Sequence, residues 1–347
     1  MSFILHAPNI HQGGGLTLLM AILEDLPDNS ILFLDIRLPL AKKELLNAKI
    51  FWVEPTILGR LRAEWKLRSV AVENTKVLCF GNLPPLFSCK GNVTLFIQNR
   101  YCVDKSISLN EFKFRVRIRI LIERFWFFSR LKHVKKFVVQ TNSMRSILKG
   151  NFYKNAKVLP FVPDFNLSKN DGVFNFDEPQ FDFVYIASGD PHKNHKNLIN
   201  AWVELSKSGI YPSLCLTIDK STYFELFEWI GTTTKEYSLN IKNYGFVKHS
   251  KALALYTQSK ALIYPSLMES FGLPLVEASG LDMPIIASEL DFVRDIVSPI
   301  QSFDPSSSTS IARAVRRYLE DPEDFIQLVD GNTFIDSILA VDDLSNG

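Results

Sequence analysis

YPSLMESFGLPLVEASGLDMPIIAS, residues 264–288, decides how the chain is read. The apolar run 261–264 has the length and bulk of a buried strand, and Pro265 and Ser266 end it. The loop that follows carries Glu269, Phe271 and Gly272. Pro274 then opens an apolar run that reads as a helix, because proline is tolerated at a first helical position and presets its φ. Glu277 would fall in the first turn. A second strand, 284–288, comes after Gly280 and Asp282, so the unit is strand, loop, helix, strand, the build of a parallel sheet.

That loop is expected to hold a phosphate ester. Gly272 lets a ligand approach the backbone amides, and a helix start supplies unpaired N–H groups and partial positive charge. Two carboxylates flanking the site would repel a bare phosphate. They fit a ligand with hydroxyl groups on either side of a diphosphate, which is the layout of a nucleotide-sugar. Without a ligand, Glu269 reads as a solvated loop acid and Glu277 as a complement to the helix dipole.

These residues resemble the retaining glycosyltransferases of family 4, which have the GT-B fold. The signature of that family is a Glu, seven intervening residues and a second Glu around Phe-Gly-Leu-Pro, and residues 269–277 match it position for position. The resemblance implies that Glu269 faces the donor sugar. The backbone of Phe271, Gly272 and Leu273 would face the sugar and diphosphate, and Glu277 the ribose. It implies no metal and no other cofactor.

At 347 residues the chain exceeds one typical core and fits two domains of about 150 residues each. The expected division is 1–163, on the acceptor side, and 164–347, binding the nucleotide-sugar. Hydrophobic residues make up 46% and charged residues 22%, so global disorder is not expected, and a net charge of +2 implies no polyanion partner for the whole molecule. Cys79, Cys89, Cys102 and Cys215 lack the paired spacing of a metal site and read as reduced thiols of a cytoplasmic protein. The first fifteen residues lack a basic leader, and no apolar stretch approaches the roughly 20 residues that cross a bilayer.

In the first half, 2–6, 31–35, 49–53, 75–80, 94–98 and 136–140 read as strands, with helical segments between several of them, which argues for a doubly wound domain. Gly13, Gly14 and Gly15 precede an apolar helical run, 16–26. Three glycines read equally as a flexible turn or a ligand loop; the resemblance implies that Gly14 and Gly15 close on the donor across the cleft. Ligands of such sheets bind beyond the carboxyl ends of the strands, which marks Asn82, Gln98 and Asn99 as acceptor-side candidates. Many relatives have a histidine near the position of Gln98. An amide cannot take a proton, so general-base chemistry is not expected from it, and pinning the neighbouring loop is the alternative role.

Residues 111–136 concentrate positive charge, including Lys113, Arg115, Arg117, Arg119, Arg124 and Arg130, among Phe112, Phe114, Trp126, Phe127 and Phe128. Cations with aromatics suit an anionic membrane surface, and a long helix accommodates the block. Arg115, Arg117, Arg119, Arg124 and Trp126 are the expected membrane-facing residues. The alternative is a solvated helix with its other face in the core. Nucleic acid is not an expected partner, because the run lacks a recognisable module.

Prolines followed by the polar stretch 168–180 mark a domain boundary. The strand 181–187 leads through Ser188, Lys193 and Lys196 into a helix, 198–206. By the resemblance Lys196 meets the donor diphosphate, and Ser188 stands where an Arg is usual, with Lys193 as its substitute. Lysine lacks the bidentate fork of arginine. His192 and His195 have no carboxylate or cysteine partner in sequence, so no metal is expected there. Strands at 214–218 and 241–247 follow, the second ending near Gly245 and Phe246, where the family's backbone touches the base. A helix over 251–258 leads into the central motif, and 309–319 closes the pattern.

The expectation is therefore an α/β protein with two facing Rossmann-like domains. Its partners would be a nucleoside diphosphate sugar, a glycan or lipid-linked glycan acceptor, and the inner-leaflet membrane surface. Glu269, Lys193 and Lys196 would be catalytic. Donor turnover without acceptor would indicate an epimerase or hydrolase on the same architecture, and binding without turnover a non-catalytic nucleotide-sugar-binding protein.

Overall fold

The computed structural model describes residues 2–39, 48–110, 112, 114–152, 154–162, 179–322 and 335. The first half contains β1 (Phe3–Ala7), α1 (Gly13–Glu24), β2 (Ile31–Asp35), β3 (Lys49–Val53), α2 (Ile57–Val70) and β4 (Lys76–Cys79). It continues with β5 (Asn92–Phe96), α3 (Arg100–Val103), α4 (Phe114–Arg130), β6 (Lys136–Val139), α5 (Asn142–Phe152) and β7 (Ala156–Val158). The strands form one parallel sheet in the order β3-β2-β1-β4-β5-β6-β7.

These strands read as near-continuous apolar runs because both faces of the sheet are covered. Side chains alternate between the faces, and two cores result. Ile4, Phe33, Val77 and Leu95 pack on one side with α2, α4 and α5, while Leu5, Leu32, Leu34 and Phe96 pack on the other with Leu18, Leu19 and Leu23 of α1.

The second half contains β8 (Phe181–Tyr185), α6 (His195–Lys207), β9 (Leu214–Leu216), α7 (Phe224–Glu236), β10 (Ile241–Asn243) and α8 (His249–Thr257). It ends with β11 (Ser259–Tyr264), α9 (Leu273–Gly280), β12 (Ile285–Ser288), α10 (Asp291–Arg294), β13 (Gln301–Phe303) and α11 (Ser308–Tyr318). Its parallel sheet runs β10-β9-β8-β11-β12-β13, around a single large core that includes Trp202, Tyr185 and Tyr264.

Several elements differ from their sequence reading. The helix after the motif loop begins at Leu273, so Glu277 lies in its second turn, not its first. The strands expected at 181–187, 214–218 and 241–247 stop at Tyr185, Leu216 and Asn243, and the residues that follow belong to loops. The basic run is a helix only over Phe114–Arg130; a 3-10 turn, Leu131–His133, and β6 take the rest. Glu111 and Lys113, the division at 163/164, most of the polar stretch 168–180 and the tail after 322 (Ile335 apart) lie outside the described residues.

The two domains touch through specific groups. Ser270 Oγ donates to Gln98 O at 2.5 Å, and Thr141 Oγ1 donates to Ser270 O at 3.2 Å. The N–H and Oγ of Ser143, at the start of α5, donate to Asp295 Oδ2 at 2.7 and 2.6 Å, so a carboxylate of one domain caps a helix of the other. Leu273 packs into the α1-side core of the first domain.

Candidate active site

In each sheet the chain reverses its direction of growth once, between β1 and β4 in the first and between β8 and β11 in the second. Loops diverge at such points and leave a crevice beyond the strand ends. The second sheet brings together there the loop after β8, with Lys193, and the loop after β11, with Glu269. Asn194, held at φ 61°, donates from its amide to Pro265 O at 3.0 Å and Pro305 O at 2.7 Å, which fixes the β8 loop against its neighbours.

Lys193 Nζ meets Glu269 Oε1 at 2.5 Å. The same oxygen accepts from Ser266 Oγ at 2.7 Å and Tyr264 OH at 3.0 Å. Burial pushes the Glu269 carboxyl up, but the Lys193 charge, a smaller contribution from His192 and the hydrogen bonds of Lys193 and Ser266 outweigh it, leaving it below its ordinary value. Glu269 is therefore a held carboxylate rather than a solvated loop acid, with Oε2 the freer oxygen.

Glu277 is 5% exposed, and both of its oxygens have protein partners. Oε1 is 2.9 Å from His249 Nε2, and Oε2 accepts from Tyr256 OH at 3.0 Å. The hydrogen bond to Glu277 raises the His249 pKa. A carboxylate oxygen has two lone pairs, so each retains capacity for a ligand hydroxyl. Gly272 caps α9 at φ 85°, a left-handed conformation that turns the backbone into the helix, and Phe271 beside it is buried.

A cavity of about 370 Å³ opens between the domains, with Glu269, Ser270 and His192 on one side and Gln98, Asn99 and Arg119 on the other. The acceptor-side amides also support the structure. Gln98 donates from Nε2 to Phe80 O at 2.9 Å, Asn82 Oδ1 accepts from Gln98 N at 2.5 Å, and Asn99 Oδ1 accepts from Tyr101 N at the start of α3. The loop-pinning role is thus present for all three. Gly14 and Gly15 sit in the first turn of α1, where a Cβ on Gly14 would stand 3.0 Å from Leu273 Cδ1 across the interdomain contact.

Other expected residues lie apart from this cavity. Lys196 is exposed in the first turn of α6 and is not among the cavity's lining residues. Ser188 donates to Asp190 Oδ2 at 2.6 Å. Gly245, at φ 71°, and Phe246, 79% exposed, form the loop after β10.

On α4, Arg115, Arg117 and Arg119 are exposed, but Arg124 and Trp126 turn inward, which corrects their assignment to a membrane face. Arg124 donates to Tyr101 O and Asp104 O, both at 2.8 Å, and Trp126 Nε1 donates to Pro84 O at 2.9 Å beneath the Arg60 guanidinium. Buried carbonyls near α4 need donors, and these two side chains supply them. The outward face instead carries Phe114, Ile118, Leu121, Ile122, Phe125 and Phe128, all at least 41% exposed. No helix among the described residues is long and apolar enough to cross a membrane.

Sequence reasoning missed Tyr264, Ser266, His249 and Tyr256 as partners of the two acids. His249 and Tyr256 are seven residues apart, two helical turns on one face, and that spacing was readable once α8 was extended to His249.

Residues 168–329 match the model of the family described as glycosyl transferases group 1, and the match encloses Glu269 and Glu277. The O-antigen chain mannosyltransferase B of Escherichia coli is 25% identical over 141 residues, 40% of this chain and 36% of that protein. A serotype-specific mannosyltransferase WbdA of Escherichia coli is 24% identical over 185 residues, 52% of this chain and 22% of that protein. The match thus spans little more than a third of the first relative's length and less than a quarter of the second's. Among solved structures, Anabaena HepE in complex with UDP and glucose superposes with a TM-score of 0.65 at 16% identity, covering 92% of this chain and 90% of that one. The apo form of the lipopolysaccharide outer core galactosyltransferase WaaB superposes at 0.58 with 14% identity, covering 92% and 90%. At such identities the likeness shows the fold, and the two facing Rossmann-like domains are the GT-B architecture expected from the motif.

Proposed function

We propose that this chain is a retaining glycosyltransferase of the family 4 type. It would move a hexose from a nucleoside diphosphate sugar to a glycan acceptor, lipid-linked, in bacterial surface polysaccharide assembly. The observation that carries the reading is the Lys193–Glu269 pair at the reversal point of the second sheet, with Glu269 lining a cavity large enough for a sugar whose other wall belongs to the first domain and Lys193 holding that acid from behind the lining. The names of the curated relatives support a hexose on a surface glycan, and the UDP-bound neighbour supports a nucleotide donor.

In this reading Glu277 holds the ribose hydroxyls, and Glu269 Oε2 accepts from hydroxyls of the donor sugar. The diphosphate lies between them, against the start of α9. Lys193 is shared between Glu269 and the diphosphate, and Lys196 adds charge from the α6 start. As the bond between the anomeric carbon and the phosphate oxygen breaks, negative charge grows on the leaving group, where prepositioned donors stabilise it most. The acceptor hydroxyl attacks from the same face and gives its proton to the departing phosphate, so configuration is retained without a protein nucleophile. No metal enters this scheme. Helix α4 would rest on the inner-leaflet surface.

The test is release of nucleoside diphosphate on addition of acceptor by wild type and Glu269→Gln. Loss of one aligned charge at the reacting centre should lower kcat by about 10²-fold or more. A change of only a few fold would count against the assignment.

A further inference from the structure

Glu277, the acid assigned to the ribose, is gripped by two side chains of one helix. His249 opens α8 and Tyr256 follows two turns later on the same face, so both reach the carboxylate on α9. His249 Nε2 stands 2.9 Å from Oε1, and Tyr256 OH donates to Oε2 at 3.0 Å. Tyr256 is buried, and burial together with the Glu277 charge pushes its hydroxyl well above the ordinary range, so it keeps its proton through neutral pH. His249 differs: its side chain is 43% exposed and its ordinary pKa is 6.5. The hydrogen bond to Glu277 raises that value, burial opposes the rise more weakly, and the carboxylate charge adds to it. Lys248 and Lys251, the cations beside it on α8, are exposed, and Lys251 Nζ lies over the Tyr244 ring at 5.2 Å.

A diphosphate between two carboxylates is repelled by both unless each is offset by a cation. Glu269 is offset by the Lys193 ammonium at 2.5 Å, and Glu277 by the His249 imidazole. Of these two kinds of side chain, the imidazole is the one whose charge ordinarily changes near neutral pH. Glu277 is four residues beyond the first residue of α9, about 6 Å along the axis. Screening at physiological salt acts over about 8 Å, so a cation hydrogen-bonded to Glu277 still feels an anion bound at that helix start. The charged imidazole also makes the stronger hydrogen bond to Oε1, while the second lone pair of that oxygen stays available to a ribose hydroxyl.

We propose that His249 is a positioning residue for Glu277 that links nucleotide-sugar binding to proton uptake: as an imidazolium it fixes the ribose-facing carboxylate and offsets its charge toward the diphosphate, so the donor binds more tightly as pH falls. The proposal rests on the glycosyltransferase reading above and adds a proton-dependent control of its donor site. The sign follows from the charge. A bound diphosphate stabilises the imidazolium further, so affinity is full below the pKa of His249 in the free protein and declines as pH rises through it.

The test is calorimetric titration of the UDP and GDP hexose conjugates at pH 6.0, 7.0 and 8.0 into wild type, His249→Gln and His249→Ala, with urea unfolding as the check that each variant is folded. The diphosphate of these conjugates is esterified at both ends and gains no proton in that range. Wild-type affinity should fall about threefold to tenfold from pH 6.0 to 8.0. At pH 7.0, heats measured in PIPES and in Tris should differ in the sense of proton uptake on binding. His249→Gln keeps a donor toward Oε1 without the charge; it should bind at all three pH values with about the affinity of wild type at pH 8.0, and without proton uptake. His249→Ala lacks both and should bind a few fold more weakly than His249→Gln. The same pH dependence in His249→Gln would assign the proton to another group, and equal affinity of the two variants would remove the positioning role; either overturns the proposal. A wild type that binds a conjugate with a flat pH profile overturns it too and leaves the glycosyltransferase reading standing, whereas a wild type that binds neither conjugate overturns both.

Discussion

Glu269 draws three donors onto one oxygen, and the cation among them sets its ionisation. In Lys193→Ala the burial contribution would act with much less opposition, so the Glu269 pKa should rise. If turnover requires the carboxylate, the acid limb of the pH–kcat profile should move to higher pH; an unmoved limb would show that this carboxyl does not govern the rate. His6 and His195 give a second pH effect. Burial lowers both pKa values, that of His195 to about 4. The unfolded chain takes up protons below about 6.5 where the folded one does not, so stability is complete above that pH and declines as pH falls toward 4. Urea unfolding at pH 7.5 and 4.5 should differ by about 2.5 kcal/mol for His195 alone, and His195→Gln should show a smaller difference. At this scale the two acids were legible, because residue type and spacing are written in one segment. The partners of Glu277 were less so, since they come from another helix and are assembled by the fold.

Helix α4 shows how an element's composition can be read while its orientation is not. The cations and aromatics of 111–136 marked a surface, yet Trp126 and Arg124, two of the five residues expected to face a membrane, donate to carbonyls of their own domain. The outward apolar stripe was hidden in sequence by the arginines between its members. Replacing Arg115, Arg117 and Arg119 by Gln should lower flotation with anionic liposomes by about 1 kcal/mol per charge. Replacing Phe125 and Phe128 by Ser should lower it further and without salt dependence, whereas unchanged flotation of both sets would remove the membrane from the account. Short strands such as β7 and β13 were missed because three residues give little periodicity. Helix α7 was also missed, although Leu226, Trp229 and Ile230 give a helical period on the side that packs on the core.

For the whole molecule, the order of the second sheet, which sets β8 beside β11, decides that Lys193 and Glu269 meet, and no local pattern reports that order. Two domains were legible from length and from the repeated strand and helix alternation. Their contact was not, since Ser143, Ser270 and Asp295 are ordinary polar residues until the cleft closes. Asp295→Ala removes the cap of α5 and should cost about 1 kcal/mol. It should also give a larger radius of gyration in solution scattering without ligand, and equal radii would show that this contact does not hold the domains together.

The central claim is a diphosphate held between an acid that meets the sugar and an acid that meets the ribose. Calorimetric titration of UDP, GDP and their hexose conjugates into wild type, Glu269→Gln and Glu277→Ala tests it most directly. Glu277→Ala should weaken both nucleoside diphosphate and nucleotide-sugar by about tenfold, close to 1.4 kcal/mol. Glu269→Gln should leave the nucleoside diphosphate unchanged and remove only the extra affinity contributed by the sugar. Equal losses from both variants for both ligands, or no loss from either, would contradict it.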